Sequence, residues 1–120
     1  MSKQTVFDLL HENAVADTDL LRKKDALGDV FFMPRDVDFA FKTPEEENAN
    51  YLCEYINGKS FGKAQVRKGD GLYWVICIIH MPITQNVICA VSGFMVCLSR
   101  LFLVEYDGWG SVTQTSDPDS

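Results

Sequence analysis

The sequence predicts an α+β fold of the ferredoxin-like type, a βαββαβ two-layer sandwich with an antiparallel sheet, preceded by an N-terminal helical segment. Two observations lead to this prediction. Strand-like segments and segments with helical spacing of apolar residues follow one another in the order strand, helix, strand, strand, helix, strand. Glycine and proline residues separate them. Two right-handed crossovers in that order form a ferredoxin-like sandwich.

At 120 residues the chain is expected to form one domain with a helical extension. We assign residues 1–33 to an N-terminal helical segment that packs on the domain, residues 34–114 to the ferredoxin-like domain and residues 115–120 to a disordered tail. The N-terminal segment predicts two short helices. The first ends near residues 11–14, and Asp17-Thr18-Asp19 caps a second one over residues 20–27.

The first strand and the helix after it carry the clearest local signals. Val37-Asp38-Phe39-Ala40-Phe41-Lys42 alternates apolar with polar or small residues, which predicts a strand whose valine and phenylalanines point inward. In Thr43-Pro44-Glu45-Glu46 the threonine is predicted to be the N-cap, the proline the first helical residue and Glu46 the second half of a capping box. Asn57-Gly58 ends this helix.

An edge strand and a central strand follow. Lys63–Lys68 is basic and weakly apolar, which is typical of an edge strand, and Gly69-Asp70-Gly71 turns the chain. Leu72–Met81 is apolar on both faces. We therefore expect a central strand whose second face is not fully open to water.

The last helix is predicted over Thr84–Leu103 and the last strand over Trp109–Thr113. The helix has a broad apolar face and a narrow polar stripe, formed by Gln85, Ser92, Gly93, Ser99 and Arg100. Its apolar centre is about 12 residues long and a membrane-spanning helix needs roughly 20, so we expect no membrane insertion. The apolar surface of this helix and of the central strand exceeds what a two-layer sandwich easily buries. The excess is expected to meet the N-terminal helices, a second copy of the chain or a partner.

The chain is acidic, with a formal net charge of −6 and an isoelectric point of about 4.7. This charge either only aids solubility or favours a basic partner surface. It argues against direct binding of nucleic acid, which depends on clustered Lys and Arg. The basic-aromatic pattern of RNA-recognition-motif domains is also absent from the sequence.

The cysteines and histidines form no recognisable catalytic or metal-binding pattern. All four cysteines lie in apolar contexts without C-x-x-C spacing, which predicts buried free thiols in a reducing cytoplasm. They are Cys53, Cys77, Cys89 and Cys97. The sequence pattern places no nucleophile near His11 or His80, and no glycine-rich phosphate loop is present. We therefore expect no enzymatic activity, no metal and no cofactor.

The most specific motif is Glu105-Tyr106-Asp107-Gly108-Trp109-Gly110, which follows the last helix. Its Asp-Gly pair predicts a tight turn, because glycine accepts the positive φ that a reversal needs. The flanking Tyr106 and Trp109 have two interpretations. They are anchors for a partner if the turn exposes their rings, or core residues if Trp109 packs against the last helix.

Four features together resemble the regulator of ribonuclease E activity B family. They are the strand at residues 37–41, the helix start at residues 43–46, the glycine-bounded hairpin with its apolar second strand, and the Glu105–Gly110 motif. The resemblance covers approximately residues 35–113, and the last motif is its specific part. It implies a stoichiometric, non-catalytic cytoplasmic inhibitor that binds ribonuclease E and alters its RNA-degrading assembly.

Under this resemblance, acidic side chains are the candidates for meeting an Arg-rich partner segment. The candidate partner-binding residues are Glu45, Glu46, Glu47, Glu105, Tyr106, Asp107, Gly108 and Trp109. The alternative is a homo-oligomeric ferredoxin-like domain, for example a homodimer, that binds a ligand or acts as a sensor. A pocket at a dimer interface would favour the sensor, whereas an exposed acidic face would favour the inhibitor.

Overall fold

A computed structural model of the chain describes residues 4–115. Of the predicted tail, 115–120, only the first residue falls within that range, and the rest lies outside the described residues. The helices and strands are α1 (Val6–Ala26), β1 (Arg35–Thr43), α2 (Glu46–Gly58), β2 (Lys63–Gly69), β3 (Leu72–Met81), α3 (Gln85–Leu101) and β4 (Glu105–Ser111).

The four strands form one sheet in the order β2-β3-β1-β4. Every neighbouring pair is antiparallel. The two crossovers, through α2 and through α3, place β1 and β3 in the centre and leave β2 and β4 as edges. This order confirms the predicted ferredoxin-like sandwich, with α1 as an additional N-terminal helix.

The core lies between the sheet and helices α2 and α3. On β1, Val37, Phe39 and Phe41 are fully buried, as their alternation predicts. Val75 and Cys77 of β3 share this face because they pair with the two phenylalanines. The helices and β4 complete the core with Ala49, Leu52, Ile56, Ile88, Met95, Leu98 and Trp109. Burying a large apolar side chain of this kind stabilises the fold by about 1.5–3 kcal/mol.

The prediction of two short N-terminal helices is wrong, because Val6–Ala26 is one continuous helix. The Thr5 hydroxyl accepts a hydrogen bond from the Asp8 N–H at 3.1 Å, and the Asp8 carboxylate accepts one from the Thr5 N–H at 3.1 Å. This capping box fixes the helix start. The acidic residues read as a second cap therefore lie inside α1, where Asp17 is buried instead of capping a new helix.

The predicted start of α2 is also wrong. Thr43 stays in β1, paired with Tyr73, and α2 begins at Glu46 with Glu45 as its N-cap. The Thr43 hydroxyl accepts a hydrogen bond from the Glu45 N–H at 3.1 Å, so it stabilises the turn between strand and helix. Pairing within the sheet has overridden the local capping signal, and the predicted capping box does not form.

The polar stripe predicted on α3 contacts α1 at its centre. Ser92 is fully buried, and a Cβ atom at Gly93 would lie 3.5 Å from Leu10 Cδ2. Near the other end, the Arg100 guanidinium donates to the Gln4 carbonyl at 3.4 Å. The two helices therefore run antiparallel, and α1 covers part of the surface of α3 that the sheet does not cover.

One buried carboxylate joins α1 to α3 and β4. Asp17 is 3% exposed and accepts hydrogen bonds from Ser92 Oγ at 3.2 Å, Trp109 Nε1 at 3.0 Å and Asn13 Nδ2 at 3.2 Å. The Ser92 hydroxyl in turn lies 2.9 Å from the Tyr106 hydroxyl and 2.9 Å from Asn13 Nδ2. We call these five residues the Asp17 network. Burying a carboxylate is costly without such donors, so the network ties the three elements to one arrangement.

A second buried group of charges fastens the loop after α1 to the end of β4. Arg35 Nη1 lies 2.7 and 2.8 Å from the two carboxylate oxygens of Asp29, and Lys24 Nζ lies 3.9 Å from the same carboxylate. Arg35 also donates to the backbone carbonyls of Val30, Met33 and Val112. Lys24 donates to the Ser111 carbonyl at 3.0 Å. These charges are paired and hydrogen-bonded, which is the condition for burying them.

Replacing Arg35 tests this second group. Arg35→Met leaves the buried Asp29 carboxylate with only the distant Lys24, so the free energy of unfolding should fall by about 3–5 kcal/mol. The matched control is Arg22→Met, because Arg22 pairs with Asp19 at 3.8 Å with its side chain 78% exposed. Urea denaturation should show a loss below about 1 kcal/mol for the control. Equal losses in the two variants would contradict the structural role of Arg35.

The Asp17 network predicts a pH dependence. Burial raises the pKa of Asp17 above its ordinary 3.8, although hydrogen bonds from Ser92 and Trp109 partly oppose this. The folded protein therefore keeps the proton to a higher pH than the unfolded chain does. Ionisation of Asp17 then destabilises the fold as the pH rises from 3.8 through the raised pKa.

The variant Asp17→Asn removes this titration. Urea denaturation across that pH range should show the unfolding free energy of the wild type falling relative to that of Asp17→Asn, and then running level at higher pH. A wild-type free energy of unfolding that instead rises relative to that of Asp17→Asn as the pH increases would mean that the pKa of Asp17 is lowered in the folded protein.

Candidate protein-binding site

The Glu105–Gly110 motif is a strand and not the predicted turn. It forms most of β4, which therefore begins four residues before the predicted Trp109. Opposite it on β1, Phe41 pairs with Tyr106 and Ala40 pairs with Gly108, so Asp107 is the extra residue of a β-bulge. Gly108 has a φ of +94°, which residues with a Cβ rarely adopt. The glycine thus serves the bulge and not a reversal of the chain.

The bulge lets both aromatic side chains of the motif enter the core. In a regular strand, residues three apart point to opposite faces, and the extra residue removes this conflict for Tyr106 and Trp109. Trp109 is only 8% exposed, and the Tyr106 ring lies 5.3 Å from that of Phe41. Burial raises the pKa of Tyr106, so its phenol stays protonated. Of the two interpretations of Trp109, the structure supports the core residue, because the ring is buried and no turn exposes it.

The acidic side chains of the motif lie outside the core and share one cation. Lys42 Nζ lies 3.4 Å from Glu105 Oε2 and 3.2 Å from Asp107 Oδ1. Hydrogen bonding and attraction to Asp107, and then to Glu105, raise the pKa of Lys42. The ammonium group also lies 5.6 Å from the centre of the Trp74 ring. Two carboxylates against one ammonium leave this spot with a net negative charge.

The three remaining acidic candidates lie at the same end of the sheet. Glu45, Glu46 and Glu47 are exposed where α2 begins, directly after β1. Pro44, their neighbour, lines a cavity of about 360 Å³ together with Glu105. The structure thus brings the acidic candidates of both segments to one end of the molecule, which we call the acidic end: Glu45, Glu46, Glu47, Glu105 and Asp107.

A groove of about 540 Å³ borders the acidic end. It lies between the N-terminal half of α1, the end of α3 and the start of β4. Glu12, Arg100, Glu105 and Asp107 supply its charged side chains. Three carboxylates against one guanidinium make the groove negative. Its shape and charge suit a positively charged polypeptide segment better than an anionic ligand.

The reactive side chains are not assembled into a catalytic or metal centre in the part of the chain that the structure describes. No three His, Cys, Asp or Glu residues there are grouped as a metal ion requires. His80 is exposed, with Nδ1 3.0 Å from the Asp36 carboxylate. Burial raises the pKa of Cys77 to about 11, so its thiol is protonated. Between residues 4 and 115, no helix has both the length and the apolar character needed to cross a membrane.

Sequence reasoning missed the residues that hold the motif in place. Asp17 was predicted to cap a helix and Ser92 to lie on a narrow polar stripe, yet both are buried, and Asp17 accepts hydrogen bonds from both Ser92 and Trp109. A weak signal exists, because a polar stripe on an otherwise apolar helix is where a second polar helix can dock. The sequence alone does not reveal that α1 is this second helix.

A family model described as Regulator of ribonuclease activity B matches residues 14–111. No curated protein matches the chain. The matched region begins inside α1 and ends with β4, so it includes the acidic end, Asp17, the Asp29–Arg35 pair and the whole ferredoxin-like sandwich. Because the match spans well over half of the sequence, the chain belongs to the Regulator of ribonuclease activity B family.

Proposed function

We propose that this protein is a non-catalytic cytoplasmic regulator that binds ribonuclease E and inhibits or modulates its RNA-degrading activity by protein–protein contact. Family membership supports a role in regulating ribonuclease activity. The observation that carries the proposal further is the acidic end, where two separate segments place five carboxylates at one end of the sheet. Within the described residues, Glu45, Glu46 and Glu47 form no ion pair, and Glu47 accepts a hydrogen bond from the neutral Tyr51 hydroxyl at 3.0 Å, so all three negative charges are available to a cationic partner.

The partner surface that fits the acidic end is a segment rich in Arg and Lys. Guanidinium groups form paired, charge-assisted hydrogen bonds with carboxylates, and such contacts set association rate and specificity more than affinity. In this proposal Glu45, Glu46, Glu47, Glu105 and Asp107 touch the partner. Tyr106, Gly108 and Trp109 belong to the site indirectly, because the bulge and the buried rings determine where Glu105 and Asp107 stand.

Calorimetry of the purified chain with intact ribonuclease E of its host, at two salt concentrations, tests the proposal. We expect one-to-one binding that weakens at the higher salt concentration, since salt screens exposed charges. Cleavage of an RNA substrate by the ribonuclease should slow as the chain is added. Absence of binding by a folded chain would refute the proposal and favour the homo-oligomeric sensor domain.

Neutralising two carboxylates of the acidic end tests where the partner binds. The double variant Glu105→Gln/Asp107→Asn should raise the Kd for ribonuclease E by about tenfold, equivalent to about 1.4 kcal/mol. Its stability should change by less than about 1 kcal/mol, because both side chains are exposed and, among residues 4–115, form ion pairs only with Lys42. The control Asp19→Asn/Asp25→Asn removes the same charge from the exposed surface of α1. If both double variants weaken binding equally, only net charge matters and the site is misplaced.

Replacing Trp109 distinguishes a direct contact with the partner from an indirect role in positioning the acidic residues of β4. Trp109→Phe keeps an aromatic ring but removes the N–H that donates to Asp17. The free energy of unfolding should fall by about 1–3 kcal/mol, because the buried carboxylate loses a donor. Calorimetry on the folded variant should give a Kd within about twofold of the wild type. A large loss of affinity without loss of stability would instead make the indole a direct partner contact.

A further inference from the structure

The sheet has a second face that no described element covers. All three helices lie on the side of Phe39, while Trp74, Ile76 and Ile78 of the central strand β3 point the other way and are half-buried. A face of this kind normally carries polar side chains. Here the sequence places a tryptophan and two isoleucines in a row toward solvent. A row of apolar side chains on an uncovered sheet face is suited to contact with another molecule.

This open face contains a groove over β1 and β4. The floor of the groove carries few side-chain atoms, because Ala40, Gly108 and Gly110 lie next to one another across the two strands. A Cβ atom added at either glycine would meet nothing within 4 Å. Ile76, Ile78 and Arg67 line the opposite side, and the groove has a volume of about 370 Å³. It is continuous, through Asp38 and Gly110, with a further recess beside Asp36 and His80.

Carboxylates follow the β1 and β4 side of the groove. Asp107 stands at one end, Asp38 in the middle and Asp36 at the other end, where it pairs with exposed His80 at 3.0 Å. Asp107 also belongs to the acidic end, so the two surfaces are continuous. An occupant of the groove therefore meets isoleucines and the Arg67 guanidinium on one side and three carboxylates on the other, so negative charge exceeds positive charge.

We propose that this groove binds a segment of the ribonuclease partner in which apolar and basic side chains alternate in space. The apolar side chains of this partner segment contact Ile76 and Ile78. Its Arg or Lys side chains face Asp36, Asp38 and Asp107. The inference rests on the proposed function and names the docking surface for that same partner. Charge selects this occupant. A second copy of the chain carries a net charge of −6, and RNA phosphates would face three carboxylates against the one guanidinium of Arg67.

Filling the groove tests the inference. Gly110 lacks a positive φ and has open space above it, so Gly110→Leu places a side chain in the groove without backbone strain. Gly69 has the same properties but is not among the residues that line the groove, which makes Gly69→Leu the matched control. Calorimetry with intact ribonuclease E should give at least a tenfold higher Kd for Gly110→Leu and less than a twofold change for Gly69→Leu.

A second variant does not depend on how well leucine is accommodated in β4. Asp36→Asn/Asp38→Asn changes two exposed side chains, so folding is preserved. It should raise the Kd severalfold at low salt and reduce the salt dependence of binding, because two cation contacts are lost. An unchanged Kd and salt dependence for this variant would overturn the inference.

The outcomes separate the inference from the proposed function. If the wild type does not bind ribonuclease E, the proposed function fails and the inference fails with it. If the wild type and Gly110→Leu bind equally, the groove is not the docking surface and the proposed function stands. Two further results would assign the face to another occupant and overturn the inference. The first is that the isolated chain forms a dimer, which Gly110→Leu dissociates. The second is that the chain binds a single-stranded RNA oligonucleotide, and that Gly110→Leu abolishes this binding. In both cases Gly110→Leu would still bind ribonuclease E like the wild type.

Discussion

The buried carboxylate of Asp17 is the interaction on which the arrangement of the N-terminal helix, the last helix and the last strand depends. An apolar contact such as Leu10 against Gly93 would tolerate a shift of one helix along the other. A carboxylate with three donors does not, because any shift leaves it buried without partners. The network therefore specifies one register of α1 on α3. Burial in this network also raises the pKa of Asp17, because the site lacks the water that would solvate an ionised carboxylate.

The same network holds some side chains of the last strand in the core, while the others point outward. Tyr106 and Trp109 point inward and are held by hydroxyl and carboxylate partners. Glu105 and Asp107 point outward and meet Lys42. Only the bulge permits this division, since it changes which residues share a face. The motif thus contains two buried side chains and two exposed ones. The packing of the buried pair determines where the exposed pair stands.

The alternation of β1 and the apolar character of both faces of β3 could be recognised in the sequence. This is because alternate side chains of a strand point to opposite faces of the sheet, and their polarity matches what lies on each face. From them followed the central position of β3, whereas the fold followed from the order of the elements and the right-handed crossovers. The second face of the sheet was expected not to be fully open to water, yet none of the described elements covers it. The local signals failed where long-range pairing competes with them. Thr43 looks like a cap but pairs with Tyr73. Asp107-Gly108 looks like a turn but lies within β4, where Gly108 pairs with Ala40 and Asp107 is the bulge residue. Of the candidate site, the acidic residues were found by charge, whereas their meeting at one end of the sheet required the crossover geometry.

The bulge in β4 also affects how the molecule behaves in a crowded solution. An exposed edge strand offers a regular row of backbone donors and acceptors that another strand can continue, which is how sheets join into aggregates. The extra residue at Asp107 breaks the spacing of that row, and the opposite edge carries Lys63, Arg67 and Lys68. Both edges are thereby protected against strand-by-strand growth. The protein can present an apolar sheet face to solvent without turning that sheet into a template for its own precipitation.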